Sequence, residues 1–488
     1  MQGYPSRTSS GEAFSEQAAR SLSVVFVLVT ICSAVLFYFL VTHGTWKPEF
    51  QQDQAGFGGD FYLAQAFAML HGTFAVTPAQ LPDECWVVHR SCIGYFGITP
   101  SLIRMPFLPL LDAIKDALDP VFMTAAVTLA VGSALAVLRR LLRRTSGASS
   151  RWYVAIPAAI ALGPGSVLIT LARPAVYEEA IVWAVGFLCL STYCLMRWWS
   201  ALDRRWAVLL TASLVLGSCA RPTALAASGV MGIAAGVRIF SSSDSARRTP
   251  RSLATVGVIG GLPIIAGLGV FTLKFGTPFP SLLLNQQVGG PSADPNWIAL
   301  RKANHGQLQG FRFVPTALLA YLRPDTLVFT HQFPYVNYRF PTFAMIKMLG
   351  LQPGSMYEAP VSSITDAMPL AIVLGLFGLC QGLRSMVTSR FQFIMVALRA
   401  PTAWCALALG AAWYVTLSSV GLTNRYLGDV YPLVALGLSY GTARLVESLS
   451  KTSRAWNYLL VAMMSLVAVA SIGVNLALTY QGWWHTIP

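Results

Sequence analysis

Charge is what this sequence has least of. Only 11% of its 488 residues are charged, with 20 Asp and Glu in the whole chain, where an ordinary soluble domain carries about a quarter. Hydrophobic residues make up 55%, and the mean hydropathy is +0.57. These figures exclude a plain cytosolic enzyme, a disordered chain, a collagen and a disulfide scaffold, and leave an integral membrane protein. Other absences narrow the chemistry. There is no C-x-x-C pair, no metal-spaced histidine cluster, no internal repeat and no low-complexity tract. Lysine is scarce, 6 against 28 Arg, so the net charge of +14 is almost wholly guanidinium. That charge is spread over many loops and does not form the single basic patch of a nucleic-acid binder.

What is present is a series of apolar runs. A bilayer core needs about 20 apolar residues of helix. Such runs lie at 21–42, 120–138, 152–171, 178–196, 206–220, 222–240, 252–273, 366–383, 400–420, 427–445 and 456–479. The pattern predicts an all-α polytopic membrane protein of about eleven transmembrane helices: a cytoplasmic tail over 1–20, then one transmembrane domain over 21–488. No small-residue cleavage site follows the first run, so it reads as a retained anchor.

The loops orient the chain. With the N-terminus inside, the tail and alternate loops hold 20 Lys and Arg against 5 acids, and the opposite side holds 14 against 15. Basic residues collect in short cytoplasmic loops, so the C-terminus falls outside and the expected location is the plasma or inner membrane. The inner loops are too short for a P-loop or dinucleotide-binding unit. Two outer segments are long, 43–119 and 274–365, and chemistry is expected there. Within the second, FVPTALLAYLRPDTLVFTHQF resembles a span, but Arg323-Pro324-Asp325 would be costly in lipid. It is expected to be an interfacial or re-entrant piece packed on protein.

Six of the eight cysteines fall in spans, where they act as small apolar residues. Cys85 and Cys92 share the first outer loop and form a candidate disulfide closing a small hairpin. All six histidines, at 43, 71, 89, 305, 331 and 485, are placed outside but scattered.

Three sets of polar residues stand out. Asp60 follows Gly58-Gly59 and opens a helix whose Leu63, Phe67 and Leu70 make an apolar stripe suited to the membrane surface. Asp60 is either an N-cap or a general base facing a cavity; Asp53 is a weaker candidate. Glu178 and Glu179 sit at the outer mouth of a span, where the helix dipole favours them and where an intramembrane-edge carboxylate marks function; adjacent Arg173 offers a partner. Arg173, Arg221 and Arg425 close outer span ends. They either snorkel to the interface or hold a lipid phosphate through the planar guanidinium fork.

Taken together, eleven spans, a cytoplasmic tail, an acid in a long first outer loop, a surface helix and a second outer loop between spans seven and eight resemble the GT-C superfamily of polyprenyl-phosphate-sugar-dependent glycosyltransferases. CIGYFGITPSLIRMPFLPLL (92–111) is similar to the aromatic-Phe-Gly-x-x-Pro segment of bacterial members. CARPTAL (219–225) and NRYLGDVYPLVALG (424–437) are similar to segments of actinobacterial mannosyl- and arabinofuranosyltransferase-like proteins. The architecture matches over most of the chain, the motifs over some 60 residues. The single Asp after Gly-Gly departs from the paired acids of the best-known branches and argues against a metal-dependent one. No cofactor is expected, and a divalent metal is left open.

The resemblance implies an inverting transfer of a sugar from a polyprenyl-phosphate donor to a hydroxyl of a glycan or lipid acceptor on the outer face. Asp60 would be the base. Arg104, Arg173, Arg221, Arg425, Tyr426, Glu178, Glu179 and His89 would bind substrate. The alternative is a transporter or flippase of lipid-linked sugars, which would show repeated halves and broken helices.

Overall fold

The computed structural model describes residues 16–48, 60–81, 85–88, 90–114, 118–145, 151–241, 250–278, 302, 304–305, 309–338, 357–358, 361–387, 400–419, 421–449 and 452–484. The expected sites Asp53 and His89 lie outside these residues, as does the tail over 1–15.

A helix stands at each expected span. In chain order these are α1 (Glu16–Val41), then α2 (Phe61–Leu70), α3 (Thr99–Arg104) and α4 (Leu108–Ile114) in the first long connection, then α5 (Asp119–Leu142), α6 (Ala155–Leu162), α7 (Val176–Ala201), α8 (Arg204–Ala220), α9 (Thr223–Phe240) and α10 (Pro250–Phe275). After the second long connection come Pro369–Val387, Pro401–Leu417, Leu427–Leu449 and Arg454–Trp484. Among the described residues, seven segments are long and apolar enough to cross a membrane by length and composition: Glu16–Val41, Asp119–Leu142, Trp152–Leu171, Val176–Ala201, Thr223–Phe240, Leu253–Phe275 and Arg454–Gln481. The exposed apolar side chains are those expected where a bundle meets lipid. They include Leu28 and Ile31 of α1, Ile265 and Leu273 of α10, and Leu466 and Val469 of the last helix.

Local chemistry sets the breaks. Pro222 cannot continue α8 and forces the preceding Arg221 into extended backbone (φ −156, ψ 138), as a residue before proline prefers. The apolar stretch is thereby cut into two helices of 17 and 18 residues. Pro120 occupies the first turn of α5, where its missing N–H costs nothing. Between bundle helices, association in lipid depends on close packing and polar contacts. Gly232 of α9 and Gly260 of α10 meet backbone to backbone, with no room for a Cβ on either, and Ser191 of α7 hydrogen-bonds Ser213 of α8 at 2.8 Å.

The 152–171 run differs from expectation. It is not one helix: α6 ends at Leu162, the chain turns through Gly163-Pro164-Gly165, and a 3-10 segment Val167–Leu171 follows. Carbonyls freed by such a break must be satisfied inside the protein. Tyr431 Oη donates to Leu162 O at 2.7 Å. Asn475 Nδ2 donates to Gly165 O at 3.1 Å, and Thr479 Oγ1 to Ile169 O at 3.1 Å.

The FVPTALLAYL stretch is not a span. It forms a nine-residue helix, Val314–Leu322, followed by a hairpin of Leu327–Phe329 against Val336–Tyr338. Asp366 Oδ2 accepts from the Thr326 N–H at 2.9 Å and from its hydroxyl at 2.5 Å.

Candidate functional site

The polar candidates gather at one end of the bundle, where α5, α7 and Leu427–Leu449 begin and α8 and α10 end. The hub is Arg104 at the end of α3, fully buried. One guanidinium edge donates to both carboxylate oxygens of Glu179, at 2.5 and 3.0 Å. The other donates to Asp119. Phe122 stacks on its face, with the ring centroid 4.4 Å from Cζ. Burial alone would lower the Arg104 pKa, but the two carboxylates more than offset this and raise it, so the guanidinium is permanently charged. Glu179 was expected to find Arg173; its partner is Arg104 instead. Arg173 is half-buried beside His43 and forms no ion pair among the described residues.

Around this hub lies Tyr62, the second residue of α2. Its ring sits 5.8 Å from Arg104 Cζ, and its hydroxyl donates to Val176 O at 2.8 Å. Burial, and then Glu179, pushes its phenol well above the ordinary range. It therefore serves as a fixed donor that ties α2 to the start of α7. Charges on Arg104, Asp119, Glu179 and Arg221 all act on this phenol, so both ion-paired centres of the site lie within electrostatic reach of it.

The second centre joins Arg221 to Asp429, Nη2 to Oδ2 at 2.9 Å. Asp429 also accepts from Thr416 Oγ1 at 2.9 Å. Tyr426 lies 5.3 Å from Arg221 Cζ. Arg425 stacks on Tyr177, with Cζ 3.7 Å from the ring centroid, a geometry that desolvates one face of the guanidinium and fixes its plane. Thus Arg221, Arg425 and Tyr426 are brought together.

Asp60 occupies the N-cap position of α2 (φ −94, ψ 0), but its side chain makes no capping hydrogen bond. It is half-buried and close enough to Asp119 for the two carboxylates to interact. The expected stripe of Leu63, Phe67 and Leu70 is not a single outward face: Leu70 is exposed and Phe67 half-buried, while Leu63 packs against the core and α2 buries Phe61, Tyr62, Gln65 and Ala66. Glu178 is buried, and its Oε2 has no hydrogen-bond partner among the described residues. A buried carboxylate oxygen left unpaired is costly, and such an atom is positioned for a ligand hydroxyl.

The aromatic-Phe-Gly segment holds the site together. Phe96 packs edge-on against Phe61 and Tyr177, at 5.6 and 5.0 Å. Ile98 N–H donates to Cys219 O at 2.7 Å, and a Cβ on Gly97 would collide with the carbonyls of Cys219 and Ala220. Glycine is therefore required for this strand of chain to lie on the end of α8. Next to it, the hairpin β1 (Cys85–Val88) and β2 (Ser91–Gly94) pairs antiparallel. Cys92 is disulfide-bonded, and the side chain of Cys85, on the facing strand, lies outside the described ones.

Two residues of the site had no sequence signal as candidates. Asp119 sits at a span border. Lys274 is buried, donating to Phe96 O at 2.6 Å and, with the Gln65 amide oriented to satisfy its neighbours, to Gln65 at 3.0 Å. No group of three or more His, Cys, Asp or Glu suited to a metal is found among the described residues.

No protein-family model matches this sequence, and no curated protein matches it. Solved structures do match its fold. The archaeal oligosaccharyltransferase AglB from Archaeoglobus fulgidus, in complex with an inhibitory peptide and a dolichol-phosphate, aligns with a TM-score of 0.52 and 12% identity, covering 94% of this chain and 56% of that one. The apo form of the Archaeoglobus fulgidus oligosaccharyltransferase aligns with a TM-score of 0.50 and 13% identity, over the same shares of each chain. The chain spans little more than half the length of these structures. At this identity the likeness is one of fold: a multi-pass membrane protein with the GT-C fold.

Proposed function

We propose that this GT-C-fold chain is a membrane glycosyltransferase that moves a sugar from a polyprenyl-phosphate donor to an acceptor hydroxyl, with inversion, on the extracytoplasmic face. The observation that carries the reading is the convergence of Asp60, Glu178, Arg221 and Arg425 at one end of the bundle. A base, a hydroxyl-orienting acid and two guanidinium groups are what such a transfer needs.

In this reading the donor's prenyl tail lies along the bundle and its phosphate meets Arg221 and Arg425. Asp429 holds one edge of Arg221 and leaves other N–H groups for phosphate oxygens. Tyr177 fixes the plane of Arg425. Asp60 removes the proton of the acceptor hydroxyl as its oxygen attacks the anomeric carbon, and the C–O bond to the polyprenyl phosphate breaks. The leaving phosphate carries away the negative charge. A positioned base contributes roughly 10²–10⁴ in rate, and preorganised guanidinium groups stabilise the charge that develops on the leaving group. Glu178 Oε2 orients a sugar or acceptor hydroxyl. Arg104, Asp119, Glu179 and Tyr62 are positioning residues that hold α2, and with it Asp60, against α7. Cys92 pairing with Cys85 would fix the neighbouring hairpin. The reading calls for no metal.

A transporter would build its site from exposed carbonyls at a broken helix. The break after α6 is instead filled by Tyr431, Asn475 and Thr479, which argues for the enzyme. The test is turnover by purified protein given a polyprenyl-phosphate sugar and a glycan or lipid acceptor. Released polyprenyl phosphate together with glycosylated acceptor supports transfer. Movement of intact donor across liposomes without product would support the transporter.

A further inference from the structure

At the far end of α5 lies a second cluster, unrelated to the site above. Asp119 and Arg139 are separated by twenty helical residues, about 30 Å at 1.5 Å rise per residue. There α1, α5 and α7 enclose a cavity of about 440 Å³, into which Arg139, Arg140, Arg143, Arg144 and Arg197 converge beside Tyr193.

Basic residues at a span end need do no more than orient the chain, but these are arranged beyond that need. None of the five forms an ion pair with a carboxylate among the described residues. Arg140 Nη2 and Arg144 Nη2 both reach the same neutral oxygen, Ser200 Oγ, at 2.6 and 2.7 Å. Arg140 in the last turn of α5 and Arg144 in the turn just beyond it thus hold two like charges against one hydroxyl, where they repel. The Nε atoms of Arg139 and Arg140 are buried with no hydrogen-bond partner among the described residues. Such a concentration of uncompensated guanidinium calls for an anion, and planar forks suit phosphate. The opposite wall is apolar, made by Phe26, Val27 and Ile31 of α1, and Val27 and Ile31 continue onto the exposed apolar face of that helix.

We propose that this cavity binds the anionic phosphate headgroup of a bilayer lipid, with the lipid's acyl chains lying along the exposed face of α1. Charge complementarity selects an anionic headgroup over a zwitterionic one, and the apolar wall selects a lipid over a soluble phosphate. The site is separate from the one proposed for the sugar donor.

The test is native mass spectrometry of the full-length protein with equimolar phosphatidylglycerol and phosphatidylcholine. The wild type should retain phosphatidylglycerol about tenfold or more in preference, given roughly 1 kcal/mol per basic residue near an anionic lipid. Millimolar glycerol 3-phosphate should not displace it. The double variant Arg140→Gln/Arg144→Gln, and separately Arg197→Gln on a different helix, should reduce that preference. Equal retention of the two lipids by the wild type would overturn the proposal, as would unchanged preference in a folded variant. Displacement by glycerol 3-phosphate would also overturn it, by assigning the cavity to a soluble anion. The wild-type arms decide the matter even where a variant fails to fold, and they are independent of any transferase activity.

Discussion

Arg104 and Glu179 face each other fully inside the protein, the guanidinium donating to both carboxylate oxygens at 2.5 and 3.0 Å, while the second edge of the same guanidinium holds Asp119. One side chain from a short helix in the first long connection thereby locks the starts of two bundle helices. The same guanidinium anchors α2 through Tyr62.

Removing Arg104 would leave two buried carboxylates facing each other. Arg104→Gln should destabilise the protein by about 3–5 kcal/mol, the usual cost of breaking a buried pair. Arg104→Lys should recover only part of this, because an ammonium cannot serve both acids through a planar fork. Thermal unfolding in detergent, read by the fluorescence of the many tryptophans, measures both. Equal stability of the lysine variant and the wild type would contradict the bidentate role.

Gly97 is tested by a single methyl group. Gly97→Ala places a Cβ against the carbonyls of Cys219 and Ala220, and overpacking of this kind costs about 1–3 kcal/mol. Lower thermal stability is expected. If the variant folds, the displacement of Phe96 from Phe61 should lower activity further. An unchanged melting temperature would mean that the segment lies elsewhere.

Arg425 and Arg221 separate by their partners. Arg425→Lys keeps the charge but loses the stacking on Tyr177, so the KM for a lipid-phosphate donor should rise about tenfold. Arg221→Gln strands Asp429 and should cost stability as well as donor binding. Kinetics at varied donor concentration, alongside melting curves, distinguish the two. A change in kcat alone for Arg425→Lys would argue against a donor-binding role.

Asn475 repairs the broken 152–171 segment by donating to Gly165 O and Ala367 O. Asn475→Leu should destabilise by about 1–3 kcal/mol, the cost of unsatisfied buried carbonyls, without altering donor KM. Thermal unfolding checks the first part and kinetics the second.

Much of this was legible in the sequence. Apolar runs located the long bundle helices, because a bilayer imposes a similar length and composition on each, but of the eleven expected spans seven segments among the described residues are long and apolar enough to cross. Pro222 marked the corner after Arg221, and Gly58-Gly59 before an apolar stripe marked the start of α2 at Asp60. What was hidden depends on pairing across the chain. Nothing local ties Arg104 to Glu179, 75 residues away, and adjacent Arg173 looked the better partner by proximity in sequence. The 152–171 run is apolar throughout, so composition could not reveal a break whose carbonyls are satisfied by a helix some 310 residues on. Lys274 carried no signal beyond its place at a span end, yet it turns inward to Phe96 O.

The central claim is that Asp60 is the base of a sugar transfer. It is tested most directly by comparing wild type with Asp60→Asn in the same turnover assay. Asparagine keeps the shape of the side chain and removes its basicity, so the variant should bind donor with similar KM while kcat falls by roughly 10²–10⁴, and a melting curve of each protein separates this loss from one of folding. Full kcat in a normally folded Asp60→Asn protein would contradict the account.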